Sequence, residues 1–404
     1  MSSLINLLLG VVTSIGGFVE VGSISTAAQA GAEFGFALLW AIALAALMLA
    51  MLVEMAGRLA AISKRPYAAA VRERFGIHFQ IVPLCAELAL DVLLLAAEIG
   101  GAAVAVRLLT GVSYLWWIVP IAAIAAALLW TSGFSVIEDG LGLLGLATLA
   151  FVVAAWRLQP DPSSLAAGFV PSLPDHERSR YAFLTVSIIG ATISPYLLNF
   201  YSSGAVEERW SAKELAVNRA TSFLGMGFGS IVSMGVLVCA AVVLQPLGIT
   251  VDSYEQAAMM LIPPFGSWGV TLFAAALGIG CLGAGVEIAL NGGYVLAQAF
   301  GWQWGVNKGR RDAARFSASF SLVLLAGTLI ALVGVDPLQL TMISLGLTVI
   351  VMPLVVLPFL VLMNDEHYVG QYRSGAIGNI FLAIVTVLAA ILALIVVPLE
   401  ILGG

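Results

Sequence analysis

From residue 3 to residue 402 the chain is a succession of apolar runs, each about long enough to cross the hydrocarbon core of a bilayer. They fall at 3–33, 36–61, 81–109, 114–131, 138–157, 180–206, 219–246, 267–300, 314–334, 338–362 and 375–402, which makes eleven spans. No water reaches a backbone amide at that depth. Each span must therefore satisfy its own N–H and C=O groups, and runs of this length can do so only as helices. Only 10% of the 404 residues are charged and the mean hydropathy is +1.05, whereas a soluble domain carries about a quarter charged residues. An all-α polytopic protein of the cell (inner) membrane is expected, with the lipid bilayer as its surroundings. The two longest runs, 81–109 and 267–300, are expected to tilt or to include interfacial turns. The opening MSSLINLLLG has neither a basic stretch nor a small-residue cleavage site, so no cleaved signal peptide is expected.

Orientation follows from the basic residues. With a cytoplasmic N-terminus, thirteen of the 17 lie on inner connections: Arg58, Lys64, Arg65, Arg72, Arg74, Arg209, Lys213, Arg219, Lys308, Arg310, Arg311, Arg315 and Arg373. Arg107, Arg157, Arg178 and Arg180 fall outside. An odd number of spans then puts the C-terminus outside the cell. The strong bias of the basic residues to one membrane side also accounts for them without a nucleic-acid partner.

The first run is interrupted. Between Ser14 and Glu33 it carries Gly16, Gly17 and Gly22, with the carboxylate of Glu20 among them. A charge near the middle of a span costs several kcal/mol, and such residues usually mark an ion or substrate path. Spans that break in mid-membrane free backbone carbonyls, and that backbone must line a cavity. A second interruption stands at Pro195, inside the run 180–206, where proline removes a rung of the helical ladder. Placing Gly16 on Gly190 aligns Gly16–Val21 with Gly190–Pro195. It also brings Gly31-Ala32-Glu33 within one residue of Gly204-Ala205-Val206-Glu207. The weak match falls where an inverted repeat of five spans plus five would put it. The chain accordingly divides into 1–157 (spans 1–5), a proline-rich outer linker 158–179, 180–362 (spans 6–10), and 363–404, an inner loop with span 11.

Gly22-Ser23-Ile24-Ser25-Thr26-Ala27-Ala28-Gln29-Ala30-Gly31-Ala32-Glu33-Phe34-Gly35, then Leu38-Leu39-Trp40, resemble a motif of the Nramp family. That motif reads Gly-Asn-(Ile/Phe)-Ala-Thr-x-x-Gln-Ala-Gly-Ala-x-(Phe/Tyr)-Gly followed by Leu-Leu-Trp. Arg72-Glu73-Arg74-Phe75, Glu98-Ile99-Gly100-Gly101, Gly190-Ala191-Thr192 and Arg315 extend the resemblance over the whole chain in order. It implies the LeuT-like fold, with helices 1 and 6 broken at Gly22 and Pro195, and transport of divalent metal ions. The motifs have diverged. Asp-Pro-Gly-Asn of span 1 is here Glu20-Val21-Gly22-Ser23, and Met-Pro-His of span 6 is Ser194-Pro195-Tyr196. Asp-Leu-Ala-Glu of span 3 is Leu95-Ala96-Ala97-Glu98, and a glutamine of span 10 is Val351. In this the chain is similar to the Nramp-related magnesium transporters, which also modify these positions.

The resemblance thus implies a metal site of Glu20, Ser23, Ala191 and Ser194. With methionine replaced by Ser194 the donors are all oxygen, which suits Mg²⁺ or Mn²⁺ better than softer ions. One carboxylate is little charge for a bare divalent ion, so a partly hydrated one is expected. The competing reading makes Glu20 a protonated or helix-capping residue in a site that binds no metal. Proton coupling is disfavoured, because Tyr196 replaces the histidine and a phenol does not titrate near neutrality. Glu98 and Arg315 are expected to form a carboxylate–guanidinium pair, either a proton path or a fastening of span 3 to span 9. Glu287 in span 8 is a second intramembrane acid, read as an ion ligand or proton carrier, or else as paired for packing. Glu87 and Asp91 are expected to reach the interface or a basic loop.

Other classes find no support. No phosphate-cradling GxxxxGK[ST] occurs, which speaks against ATP-driven pumping. His78, His176 and His367 are expected in loops, and Cys85, Cys239 and Cys281 as small core residues, so neither an enzyme nor a resident cofactor is expected. The expectation is a transporter moving a divalent cation by alternating access, uncoupled rather than proton-coupled, with a monomer compatible with the sequence. A same-fold carrier of a small non-metal solute is the alternative. A membrane sensor is disfavoured, because no soluble domain follows span 11.

Overall fold

The computed structural model describes residues 20–133, 145–174, 177–309, 311–376, 378–387 and 390. Residues 1–19 of the first run, the start of the fifth run with Glu138 and Asp139, His176, Arg310 and the end of the last run lie outside the described residues. All regular structure in the described residues is helical. The principal helices are α1 (Val21–Phe34), α2 (Leu39–Ser63), α3 (Tyr67–Phe75), α4 (Ile77–Thr110), α5 (Leu115–Thr131), α6 (Leu149–Arg157) and α7 (Arg178–Thr192). They continue as α8 (Pro195–Glu207), α9 (Leu215–Val243), α10 (Gly269–Phe300), α11 (Ala314–Leu332) and α12 (Pro337–Leu362), and α13 (Gly378–Val387).

Seven helical segments are long and apolar enough to cross a membrane, and Leu115–Thr131, Leu146–Arg157 and Gly378–Val387 are apolar but shorter. The described residues therefore do not supply eleven full spans. Hydropathy registers apolar residues wherever they stand, whereas a helix stops at a turn or at a break in its ladder. Among the described residues the run 3–33 contributes α1, and the run 180–206 is shared by α7 and α8. His78 lies in the first turn of α4 and His367 in a short helix, Glu366–Val369, rather than in loops. Cys239 and Cys281 are buried, but Cys85 is exposed on the outer side of α4.

Helix α1 is central, with every residue from Val21 to Ala32 buried. Around it the helices approach closely at glycines, as they must where lipid offers no hydrophobic drive for helices to associate. Gly31 of α1 lies on the Leu237 carbonyl and Ala240 of α9. Gly101 of α4 faces Cys281 of α10 and Val21 of α1, and Gly278 of α10 faces Ala105. Further along α10, Gly292 meets Val323, and Gly293 meets Phe316 and Phe320 of α11. Large apolar side chains point away from the bundle, including Trp116, Trp156 and Leu322, each at least 64% exposed. An apolar exterior of this kind is stable only in lipid.

Polar contacts gather at the two ends. At one end Glu54 pairs with Arg58 and Arg219, Arg58 donates to the Tyr372 carbonyl, and Arg74 pairs with Asp365. At the other, Arg107 pairs with Glu255, and Arg180 holds Glu33 through two hydrogen bonds of 2.8 and 2.7 Å. The linker lies over this second end, where the Trp40 amide donates to the Gly168 carbonyl at 3.0 Å.

Close approach at Gly31 gives a direct test. Gly31→Val drives a branched side chain into α9 backbone and is expected to cost about 3 kcal/mol or more. Gly227→Ala, where a Cβ meets nothing within 4 Å, is expected to hold or raise stability, since alanine is the better helix former. Thermal unfolding in detergent compares the two.

Candidate functional site

Glu20 immediately precedes α1, with extended backbone at φ −98° and ψ 173°. Ser194 immediately precedes α8 in the same way, at φ −86° and ψ 133°. The two are partners when Gly16 is laid on Gly190. Helix α7 stops at Thr192, and α8 begins at Pro195, whose missing N–H is no loss at a first helical position. Four residues before Pro195 stands Ala191, whose carbonyl consequently has no helical N–H to accept. Two helix starts and one helix end thus leave unsatisfied backbone groups deep in the bundle.

Neighbouring helices satisfy part of this. Both oxygens of Glu98, on α4, accept from the Val21 N–H at 3.2 and 3.4 Å. Ser25 Oγ donates back to the Val21 carbonyl at 2.7 Å, and Thr26 Oγ1 to that of Gly22 at 2.8 Å. Tyr196, in the first turn of α8, donates its hydroxyl to Glu20 Oε2 at 3.2 Å. Glu20 Oε1 and Ser194 Oγ remain buried without a hydrogen-bond partner. Ser23 and Ala191 are buried as well, at 4% and 3% exposure.

The structure therefore brings Glu20 and Tyr196 into contact and sets Ser194 next to Tyr196. Gly22 does not itself interrupt a helix, since it sits in the first turn of α1. The space there is tight, because a Cβ would come within 3.1 Å of the Leu345 side chain and 3.5 Å of Ala191. Glu287, on α10, is buried within electrostatic reach of Glu98 and Tyr196. Cys281 lies beside Glu98. Among the described residues no three His, Cys, Asp or Glu side chains are arranged to hold a metal ion. An ion placed here would have to draw on Glu20 with hydroxyl and carbonyl oxygens.

Two sequence expectations are corrected. Glu98 and Arg315 are not paired, because Glu98 is fully buried against Val21 while Arg315 is exposed at the start of α11, its guanidinium 5.3 Å from the Trp302 ring. Glu87 and Asp91 reach neither the interface nor a basic loop. They are buried against Asn199 of α8 and Asn291 of α10, two residues passed over as ordinary members of apolar runs. A primary amide inside an apolar span was the available signal.

The family model for natural resistance-associated macrophage protein-like chains matches residues 10–398. The chain belongs to the Nramp family. Its fold is that of a manganese transporter from Eremococcus coleocola (TM-score 0.79, 18% identity, covering 96% of this chain and 85% of that one). Mhp1, a nucleobase-cation-symport-1 family transporter, matches at TM-score 0.66 and 15% identity over 97% of this chain and 91% of that one. MhsT in complex with L-phenylalanine matches at 0.61 and 13% over 96% and 97%. This Nramp chain is a multi-pass membrane protein.

The Glu98 contact can be isolated by two substitutions that both remove the charge. Glu98→Gln keeps an oxygen to accept the Val21 N–H, whereas Glu98→Leu leaves that amide buried and unpaired. The leucine variant is expected to be less stable than the glutamine variant by about 1–3 kcal/mol, read from thermal unfolding of the two proteins in one detergent.

Proposed function

We propose that this Nramp protein moves a divalent metal cation across the membrane by alternating access, with Glu20, Ser23, Ala191 and Ser194 as its ligands. The observation that carries the reading is the pair of orphaned acceptors, Glu20 Oε1 and Ser194 Oγ, buried beside two adjoining helix starts. Leaving a buried oxygen unpaired costs about 1–3 kcal/mol, and a cation removes that cost. The fold shared with a manganese transporter supports the same class of cargo. All of these donors are oxygen, which favours Mg²⁺ or Mn²⁺ over softer ions. A single carboxylate favours an ion that keeps part of its water shell.

In this reading the chain has eleven spans. Two inverted repeats of five, 1–157 and 180–362, are joined by the linker 158–179 and followed by span 11. The matched starts of α1 and α8 support the repeat. The N-terminus is cytoplasmic and the C-terminus extracytoplasmic. The ion pairs agree with this, because each joins residues assigned to the same side.

Passage is uncoupled from protons. Tyr196 holds Glu20 through a phenol, whose ordinary pKa of about 10 keeps its proton in place, and Arg315, stacked on Trp302, leaves Glu98 without a guanidinium partner.

Two measurements on reconstituted protein test this. Mn²⁺ uptake into proteoliposomes is expected to fall to the level of protein-free vesicles in Glu20→Gln, and undiminished uptake would sink the metal-site assignment. Vesicles loaded with a pH dye are expected to show no Mn²⁺-driven acidification, so a metal-dependent signal that disappears in Glu98→Gln would restore proton coupling.

A further inference from the structure

Below the Glu20 site the same helices carry a second tier of polar residues. Seven and eleven residues before Glu98, α4 presents Asp91 and Glu87. Asn199 follows Tyr196 by three on α8, and Asn291 follows Glu287 by four on α10. These intervals hold each set to one face of its helix. At 1.5 Å per residue, Asp91 lies about 10 Å along α4 from Glu98.

The four side chains form one buried group. Asn199 Nδ2 donates to Glu87 Oε1 at 2.7 Å, and Asn291 Nδ2 donates to Glu87 Oε1 at 3.1 Å and to Asp91 Oδ2 at 2.9 Å. Two carboxylates thus converge on a single amide nitrogen. Among the described residues neither has a Lys, Arg or His within ion-pair distance, and residues 1–19 contain no basic side chain. Two buried carboxylates this close cannot both stay charged without a counter-cation.

Three further oxygens point to what supplies it. Asp91 Oδ1, Asn199 Oδ1 and Asn291 Oδ1 are all buried without a hydrogen-bond partner, on residues no more than 1% exposed. An amide rotated by half a turn exchanges its nitrogen and oxygen. In that rotamer the two asparagines would add their oxygens to those of Glu87 and Asp91, giving six donors with no nitrogen or sulfur. Six hard oxygens suit a divalent cation of the Mg²⁺, Ca²⁺ or Mn²⁺ kind. A cavity of about 20 Å³, lined by Tyr67, Gln80, Glu87 and Asn199, leaves room beside the group for one water-sized ligand.

We propose that Glu87, Asp91, Asn199 and Asn291 form a second site for a divalent cation, placed between the Glu20 site and the end of the bundle where Glu54 and Arg58 lie. The assignment of its occupant as cargo rests on the reading of the chain as a cation carrier. The site itself is tested apart from it.

Full-length protein in detergent is titrated calorimetrically with Mn²⁺. Wild type is expected to bind two ions, Glu20→Gln one, the double variant Glu87→Gln with Asp91→Asn one, and all three changes together none. A single wild-type ion that is lost in Glu20→Gln, or a double variant that still binds two, overturns the second site. An unaltered Glu20→Gln beside a double variant that has lost an ion would keep the second site and remove the first. Should the double variant fail to fold, Asn291→Asp adds a third carboxylate at nearly constant volume. It is expected to tighten one of the two events about tenfold, and unchanged affinities in that variant would overturn the proposal.

Discussion

A helix that begins inside a membrane has a first turn of N–H groups with nothing to donate to, and lipid cannot supply the acceptor. Helix α1 is in this position at Val21. Its answer is a carboxylate from another helix, Glu98 of α4, which accepts the Val21 amide. That one contact fixes much else. It holds α4 to the start of α1, needs the glycine at position 101 so that Val21 and Cys281 can come close, and leaves a second acid beside Glu20. The structural acceptor and the candidate ligand are neighbours because Glu20 immediately precedes the residue whose amide Glu98 accepts.

The acids then constrain what can enter. Glu20, Glu98 and Glu287 surround Tyr196, with Glu87 and Asp91 two to three turns of α4 away, and no basic side chain pairs with Glu20, Glu98, Glu87 or Asp91 among the described residues. A bundle interior so arranged repels anions and favours cations or protons. The basic residues sit at the ends, where Arg58, Arg74, Arg107 and Arg180 already have acidic partners. Segregation of this kind is costly in a protein that only needs to be stable, since apolar residues of similar size would fill the same space without desolvating a charge.

Interruptions were the legible part of the sequence. Glu20 and Pro195 announced themselves because a charge or a proline inside an apolar run is a local signal. Laying Gly16 on Gly190 even paired Glu20 with Ser194, the two residues that precede α1 and α8. What escaped was everything set by approach between distant segments. Nothing in the order of residues says that Glu98 accepts from Val21, that Arg315 turns to Trp302 instead, or that Glu87 meets Asn199. Seven of the expected spans are met by full-length helices among the described residues.

The exchange of histidine for Tyr196 gains meaning from its contact. A histidine beside Glu20 could accept a proton or give one near neutral pH. A phenol keeps its proton near neutral pH, and here it donates it in a hydrogen bond to Glu20 Oε2 at 3.2 Å. One oxygen is thereby committed, and Oε1 is left buried without a partner. If Glu20 is the ligand we propose, a site built this way would select its cargo by how many waters the ion gives up to a few neutral oxygens, and the longer side chain of Glu20 would suit an ion that stays partly hydrated.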